Sequence, residues 1–183
     1  MQTTSSNFES LYAQYHVLVY NVALNYVQNC EDAEEITQDV FVQIYKSMHQ
    51  FEEKAALKTW IYRITINKCL DFIKHKKSKK RFFVFGKRSQ NENEILNITD
   101  FEHPGILLEN KENAQILFEA INQLTDNQRT AFILSKIDGQ SNPEIAAVME
   151  LSISSVESLL FRAKTTLKEK LIQKFEKQHK KNN

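Results

Sequence analysis

An all-α fold of two small helical domains joined by a flexible linker is predicted by three observations. Helix breakers are scarce: the 183-residue chain holds 3 Gly and 2 Pro while 42% of it is hydrophobic, enough for cores but too few turn residues for a sheet-rich fold. Apolar residues recur at helical spacing over most of the length. That spacing breaks down over residues 76–108, which separates a first domain, 1–75, from a second, 109–183.

From Phe8 to about Asn29 the pattern FESLYAQYHVLVYNVALNYVQN sets Leu11, Tyr15, Leu18, Val22 and Tyr26 near one stripe, and Asn29 and Cys30 give a turn. A second helix, from about Asp32 to Met48, has Ile36, Val40, Phe41, Ile44 and Met48 on its inner side and Glu31, Glu35, Gln38, Asp39 and Val42 on its outer one. One exposed valine among acids is ordinary for a surface. An acidic stripe with an apolar centre is also what a docking face for a basic protein partner carries.

After a loop or short helix over Gln50 to Leu57 comes KTWIYRITINKCLDFIKHKK, apolar on most sides, as a helix in the middle of a small bundle is. The break in its apolar ring is a polar stripe of Arg63, Asn67, Asp71 and Lys74, headed by Trp60. Two readings fit this stripe: a core tryptophan beside a solvated Arg63 and Asp71, or a nucleic-acid surface where cations track phosphates and rings stack on unpaired bases.

The stretch KKSKKRFFVFGKRSQNENEILNITDFEHPGILL, 76–108, joins a basic run, the apolar tetrad Phe82 to Phe85, a polar segment and then Pro104 and Gly105, and reads as the linker. Beyond Glu109, Ile116, Leu117, Ala120, Ile121 and Leu124 give an apolar side to one helix. Thr125 with Gln128 makes a capping box for the next, and Gly139 follows it as a stop signal. Ser141 with Glu144 repeats the capping box, with Pro143 in the first turn, and this third helix ends near Glu150. The last helix starts at Ser152 or Ser154 and buries Val156, Leu160, Ala163 and Leu167 on one side. Its opposite side holds Ser155, Ser158, Arg162 and Thr165, flanked by Phe161: small hydrogen-bonding groups, one guanidinium and one ring. Such a face suits a solvated surface or a DNA major groove. A lysine-rich tail follows.

Charge is segregated, although the formal net charge is only +1. From Glu31 to Glu53 seven acids stand against one base, Lys46, whereas Lys74 to Arg88 holds eight Lys or Arg and no acid. Two opposite faces suit two partners. The 2 cysteines lie far apart and the 5 histidines are scattered, so no metal site and no cofactor is expected. Neither a signal peptide nor an apolar run of about 18 residues is present, and a cytoplasmic location without membrane insertion is expected. No carboxylate cluster at metal spacing, no nucleophile with a base and no glycine-rich phosphate loop is found, so catalytic residues are expected to be none.

Two blocks resemble a known family. DAEEITQDVFVQIY (Asp32 to Tyr45) and WIYRITINKCLDFIK (Trp60 to Lys74) are similar to region 2 of bacterial sigma factors of the extracytoplasmic function group. Leu124, Gln128, Arg129, Phe132, Glu144, Ile145, Ala146, Ser152, Val156, Glu157, Ser158, Arg162, Ala163 and Leu167 are similar to region 4. The resemblance covers about Phe8 to Lys77 and Glu112 to Leu171. It implies an alternative sigma factor with regions 2 and 4 only, whose partners are core RNA polymerase (its clamp helices and flap), promoter DNA and an anti-sigma factor. Gln38 and Asp39, joined on helical geometry by Glu35 and Val42, would then dock polymerase. Trp60, Arg63, Asn67 and Lys74 would meet the minus 10 element, with the loop from Gln50 to Leu57 holding an unstacked base. Ser155, Ser158, Phe161, Arg162, Lys164 and Thr165 would face the minus 35 element. Lys74 stands where the family more often has Arg, Glu150 where it often has Gly, and Glu157 and Leu159 where it is often basic. The competing expectation is a helix-turn-helix regulator with a helical sensing or dimerisation domain.

Overall fold

In the computed structural model the described residues are 2–48, 56–86 and 111–181, with side chains described over 8–48, 56–79 and 113–176, and they form helices and no strand. The chain divides into two compact units, Met1–His103 and Pro104–Asn183. The first holds α1 (Gln2–Val27), α2 (Cys30–Ser47) and α3 (Leu57–Gly86); the second holds α4 (Lys111–Ile121), α5 (Asp126–Lys136), α6 (Asn142–Met149) and α7 (Ile153–Lys181).

In the first unit each helix packs on the other two. Asn29 starts α2: its side-chain Oδ1 accepts from the Asp32 N–H at 2.9 Å, and Glu31 and Asp32 then sit where the helix dipole favours acids. Gln28 makes the turn before it in the left-handed region, φ 57°, fully enclosed, with its N–H donating to the Leu24 carbonyl at 2.7 Å. The core joins Val19, Val22, Ala23 and Tyr26 of α1 to Ala33, Ile36, Val40 and Ile44 of α2 and Ile61, Thr65, Ile66 and Cys69 of α3. Thr65 enters it without an orphan proton because its hydroxyl donates to the Ile61 carbonyl at 2.8 Å. Of the stripe expected on α1, Leu11, Val22 and Tyr26 are buried but Tyr15 and Leu18 are only half-buried. From Val22 to Gln28 every residue is buried, since this end of α1 is covered on more than one side.

Helix α3 corrects the sequence expectation. It runs through Lys76 to Gly86, where the linker was expected to have begun. Lysine is a good helix former, no Gly or Pro intervenes before Gly86, and a helix already nucleated in a bundle extends at one hydrogen bond per residue. The Phe82 to Phe85 tetrad is therefore helical. The rest of the expected linker, 87–108, and residues 50–55 of the expected base-holding loop lie outside the described residues.

In the second unit α4, α5 and α6 all pack on α7. The expected capping box of α5 is present: the Thr125 Oγ1 accepts from the Gln128 N–H at 3.4 Å, and the Gln128 side chain accepts from the Thr125 N–H at 3.2 Å. At α6 the Glu144 carboxylate accepts from the Ser141 N–H at 2.8 Å and from its hydroxyl at 2.7 Å. Gly139 has φ +69°, and just beyond it the Gln140 N–H donates to the Leu134 carbonyl at 2.9 Å. On α4 the expected inner Leu117 is 38% exposed, and Phe118 takes its place at 8%. The helical period admits either neighbour, and the larger apolar surface of the ring goes inside.

The turn between α6 and α7 is strained at one point. Glu150 lies in the left-handed region, φ 56° and ψ 42°, where a Cβ is unfavourable, while the Leu151 N–H closes the turn on the Ala146 carbonyl at 3.0 Å. Glu150→Gly is expected to raise the unfolding free energy by about 0.5–1 kcal/mol in urea or thermal unfolding. A fall instead would mean that the contacts of the glutamate side chain outweigh its backbone strain.

Candidate nucleic-acid and partner interface

The first candidate surface lies on α2. Glu31, Glu35 and Asp39 recur every four residues and fall on one face with Gln38 and Val42, and all five side chains are exposed. The spacing that buries Ala33, Ile36, Val40 and Ile44 leaves them no other place. Val42 is 50% exposed, and Tyr45, one turn further on, is 61% exposed. Sequence reasoning missed Tyr45, although its i+3 spacing from Val42 carries the signal. The tyrosine ring is propped from α1: Phe8 meets it edge-on at 5.2 Å, while Tyr12 contacts Phe41 at 4.6 Å and stacks on His16 at 5.3 Å.

The second surface is the stripe of α3. Asn67, Asp71 and Lys74 are exposed, and Trp60 and Arg63 are half-buried, so the stripe emerges from the bundle gradually. Its lower end offers an indole, a guanidinium and an amide; its upper end is lysine. Beside it a groove of about 540 Å³ separates α3 from α2, lined by Glu35, Ile36 and Asp39 on one wall and by Lys68, Asp71, Phe72, His75, Lys76 and Lys79 on the other. Lys76 crosses it to pair with Asp32 and lies over the Phe72 ring, 5.8 Å from its centroid.

The third surface is the outer face of α7. Ser152 caps this helix, its hydroxyl accepting from the Ser155 N–H at 3.2 Å. This settles the choice of start between Ser152 and Ser154. Ser158, Phe161, Arg162 and Thr165 are exposed together, Phe161 at 72%, while Val156, Leu160, Ala163 and Leu167 are buried behind them. The hydroxyls already have acceptors: Ser158 donates to the Ser154 carbonyl at 2.9 Å and Thr165 to the Phe161 carbonyl at 3.1 Å. Arg162 donates its Nε–H to the Ser158 carbonyl at 3.3 Å, which orients the guanidinium and leaves its Nη groups as outward donors. Two residues placed here by sequence stand apart. Ser155 is half-buried, its hydroxyl within 2.8 Å of Ser152 in the cap. Lys164, two residues beyond Arg162, lies about 200° round the helix and shares a flank with Glu157 and Lys168 instead.

Among the described residues no group of three or more His, Cys, Asp or Glu is arranged to hold a metal ion, and no helix is long and apolar enough to cross a membrane. Chemically, the exposed groups can dock, stack and hydrogen-bond.

Comparison with known proteins matches the family model for sigma-70 region 2 to residues 11–79 and that for sigma-70, region 4 to residues 114–167. The extracytoplasmic function (ECF) RNA polymerase sigma-E factor of Escherichia coli (strain K12) is 29% identical over 174 residues, which cover 90% of this chain and 86% of that protein. Its counterpart in Haemophilus influenzae is 25% identical over 165 residues, covering 90% and 87%. Two solved structures share the fold. One is the sigma factor RpoE in complex with the anti-sigma factor NepR from Bartonella quintana (TM-score 0.63, 22% identity, 90% and 96% covered). The other is CnrH in complex with the cytosolic domain of CnrY (TM-score 0.60, 23% identity, 94% of each chain).

Exposure and packing separate cleanly on α7. Phe161→Ala is expected to change the unfolding free energy by less than about 0.5 kcal/mol, because so little of the ring is covered, whereas Leu160→Ala costs about 2 kcal/mol or more. Equal losses in urea melts would place Phe161 in the core and remove it from the candidate surface.

Proposed function

The chain belongs to the sigma-70 family as an alternative sigma factor of the extracytoplasmic function group, and we propose that its three exposed surfaces divide the work of promoter-specific initiation. The acidic face of α2, with Glu35, Gln38, Asp39 and Val42, docks core RNA polymerase at its clamp helices. Trp60, Arg63, Asn67 and Lys74 face promoter DNA as the minus 10 element melts, the ring stacking on an unpaired base and the cations holding phosphates. Ser158, Phe161 and Arg162, with Thr165, read the minus 35 element, and the second unit rests on the polymerase flap. The observation that supports this best is the α2 face, where a row of acids, Glu31, Glu35 and Asp39, leads to the exposed apolar pair Val42 and Tyr45 on a helix whose opposite side is committed to the core.

The cations assigned to DNA are few, Arg63 and Lys74 in the first unit and Arg162 in the second, so each unit alone binds weakly. Seating both on polymerase raises their effective concentration at the promoter, which makes recognition depend on the core enzyme. The protein does no bond chemistry itself and works in the cytoplasm, with an anti-sigma factor as a further partner. In vitro transcription with purified core enzyme and genomic DNA, with sequencing of transcript starts, tests the whole proposal; starts no more frequent than with core alone would overturn it.

Two substitutions test its parts. Val42→Asp is expected to weaken core binding by about tenfold or more, roughly 1.4 kcal/mol, in a titration of labelled protein, and an unchanged affinity would remove α2 from the interface. Arg162→Ala holoenzyme is expected to lose about 1–3 kcal/mol of discrimination at one minus 35 position, as a guanidinium bidentate to guanine supplies. Unchanged promoter preference in a gel-shift competition would take Arg162 out of base reading.

A further inference from the structure

Phe161, 72% exposed, is the most open large apolar side chain among the described residues and marks the outermost line of α7. At the helical step Glu157 lies about 40° from that line, Ser158 about 60° from it on the other side, and Arg162 about 100° away. Glu157 is exposed and stands as squarely on the outer face as the groups assigned to base reading. It is an acid at a place where sigma factors of this group are often basic, and the division of labour above gives it no part.

Nothing on its own helix neutralises it. One turn before Glu157 stand Ile153 and Ser154, one turn after it Leu160 and Phe161, and Lys164 on its flank is two turns on. Among the described residues its carboxylate holds no ion pair. Ile153, 47% exposed, and Phe161 bracket it at steps of four, so the row runs apolar, acid, apolar.

A carboxylate carried into a groove walled by phosphates is repelled by both strands and sheds its water, and only a donor on a base edge offsets that cost. In the major groove two bases carry such a donor, cytosine at N4 and adenine at N6. Adenine sets its N7 acceptor beside the donor, where it meets the second carboxylate oxygen; cytosine has no acceptor there. A carboxylate only accepts, so it favours cytosine. The apolar groups on either side keep water from the contact, which strengthens it, and they suit neighbouring thymine methyl groups.

We propose that Glu157 determines specificity at one base pair of the minus 35 element, its carboxylate accepting a hydrogen bond from the N4 amino group of a cytosine. This rests on the assignment of the outer face of α7 to that element. The helix then carries two base readers of opposite charge, Arg162 for guanine and Glu157 for cytosine, on the two sides of Phe161.

The test is selection of sites by parent and variant holoenzymes from promoter DNA randomised across the minus 35 element. The parent is expected to favour cytosine at one position by about fivefold or more, as one good contact to a base edge supplies. Glu157→Ala is expected to level that position and leave the others as they were. Glu157→Gln is expected to turn it toward adenine, which an amide meets with both a donor and an acceptor. An unchanged profile for Glu157→Ala overturns the proposal. So does tighter binding to all sites alike, because the acid was then only repelled by phosphates, and so does a loss spread evenly over the element, because the acid then only positions the helix. Arg162→Ala, selected in parallel, reports on the underlying assignment. If neither variant alters preference at any position, the outer face of α7 is not the reader; if Arg162→Ala alters it and Glu157→Ala does not, the role of Glu157 alone falls.

Discussion

Helix α3 packs on both α1 and α2 and gives up most of its circumference to them, with Ile61, Thr65, Ile66 and Cys69 inside. Along the part that packs in the bundle, from Trp60 up to Asp71, one narrow polar stripe is all that reaches solvent fully. That constraint arranges the first unit. Because all three helices pack on one another, α2 buries Ala33, Ile36, Val40 and Ile44 against α1 and α3, and its acids are turned outward with Val42 on the same face. The two faces thus stand on adjacent helices at fixed angles, one acidic and apolar, the other aromatic and basic. A change in the core between them would disturb both at once.

The second unit solves a different problem, that of presenting one long helix. Three shorter helices pack on α7, and specific devices mark the ends of α5, α6 and α7: the reciprocal Thr125 and Gln128 bonds, Gly139 at positive φ, Glu144 reaching back to Ser141, and Ser152 before Ile153. The strain at Glu150 is tolerated because the turn on either side is over-determined by these bonds. What emerges is a face whose hydroxyl protons are already spent on backbone carbonyls and whose one guanidinium is steadied by its own helix. Little ordering remains to be done when a ligand arrives.

Much of this was legible in the sequence because helical spacing acts on all residues alike. Glu31, Glu35 and Asp39 at steps of four could only share a face, and the capping pairs at Thr125 and Ser141 are local signals that need no tertiary knowledge. The positive φ at Glu150 was legible as a cost, since a glutamate stands at a turn position that favours glycine. Elsewhere packing decided between choices the spacing left open. Leu117 and Phe118 were both admissible on α4. Tyr15 and Leu18 followed the period yet lay where α1 is only partly covered. Ser155 looked like part of an open face but belongs to the cap of its own helix. The basic run after Lys74 was read as the end of order because its apolar period stops; a helix supported at one end needs no such period to continue, and its cations keep their angular register regardless.

The two thiols sit at opposite extremes of this architecture, Cys69 wholly enclosed where α3 meets its neighbours and Cys30 half-buried at the first turn of α2. A thiol-specific reagent can reach Cys69 only when the bundle opens, and can reach Cys30 when one helix end frays. The pair therefore makes a native clock with two hands, in which the alkylation rate at one cysteine reports cooperative opening and the rate at the other reports local breathing.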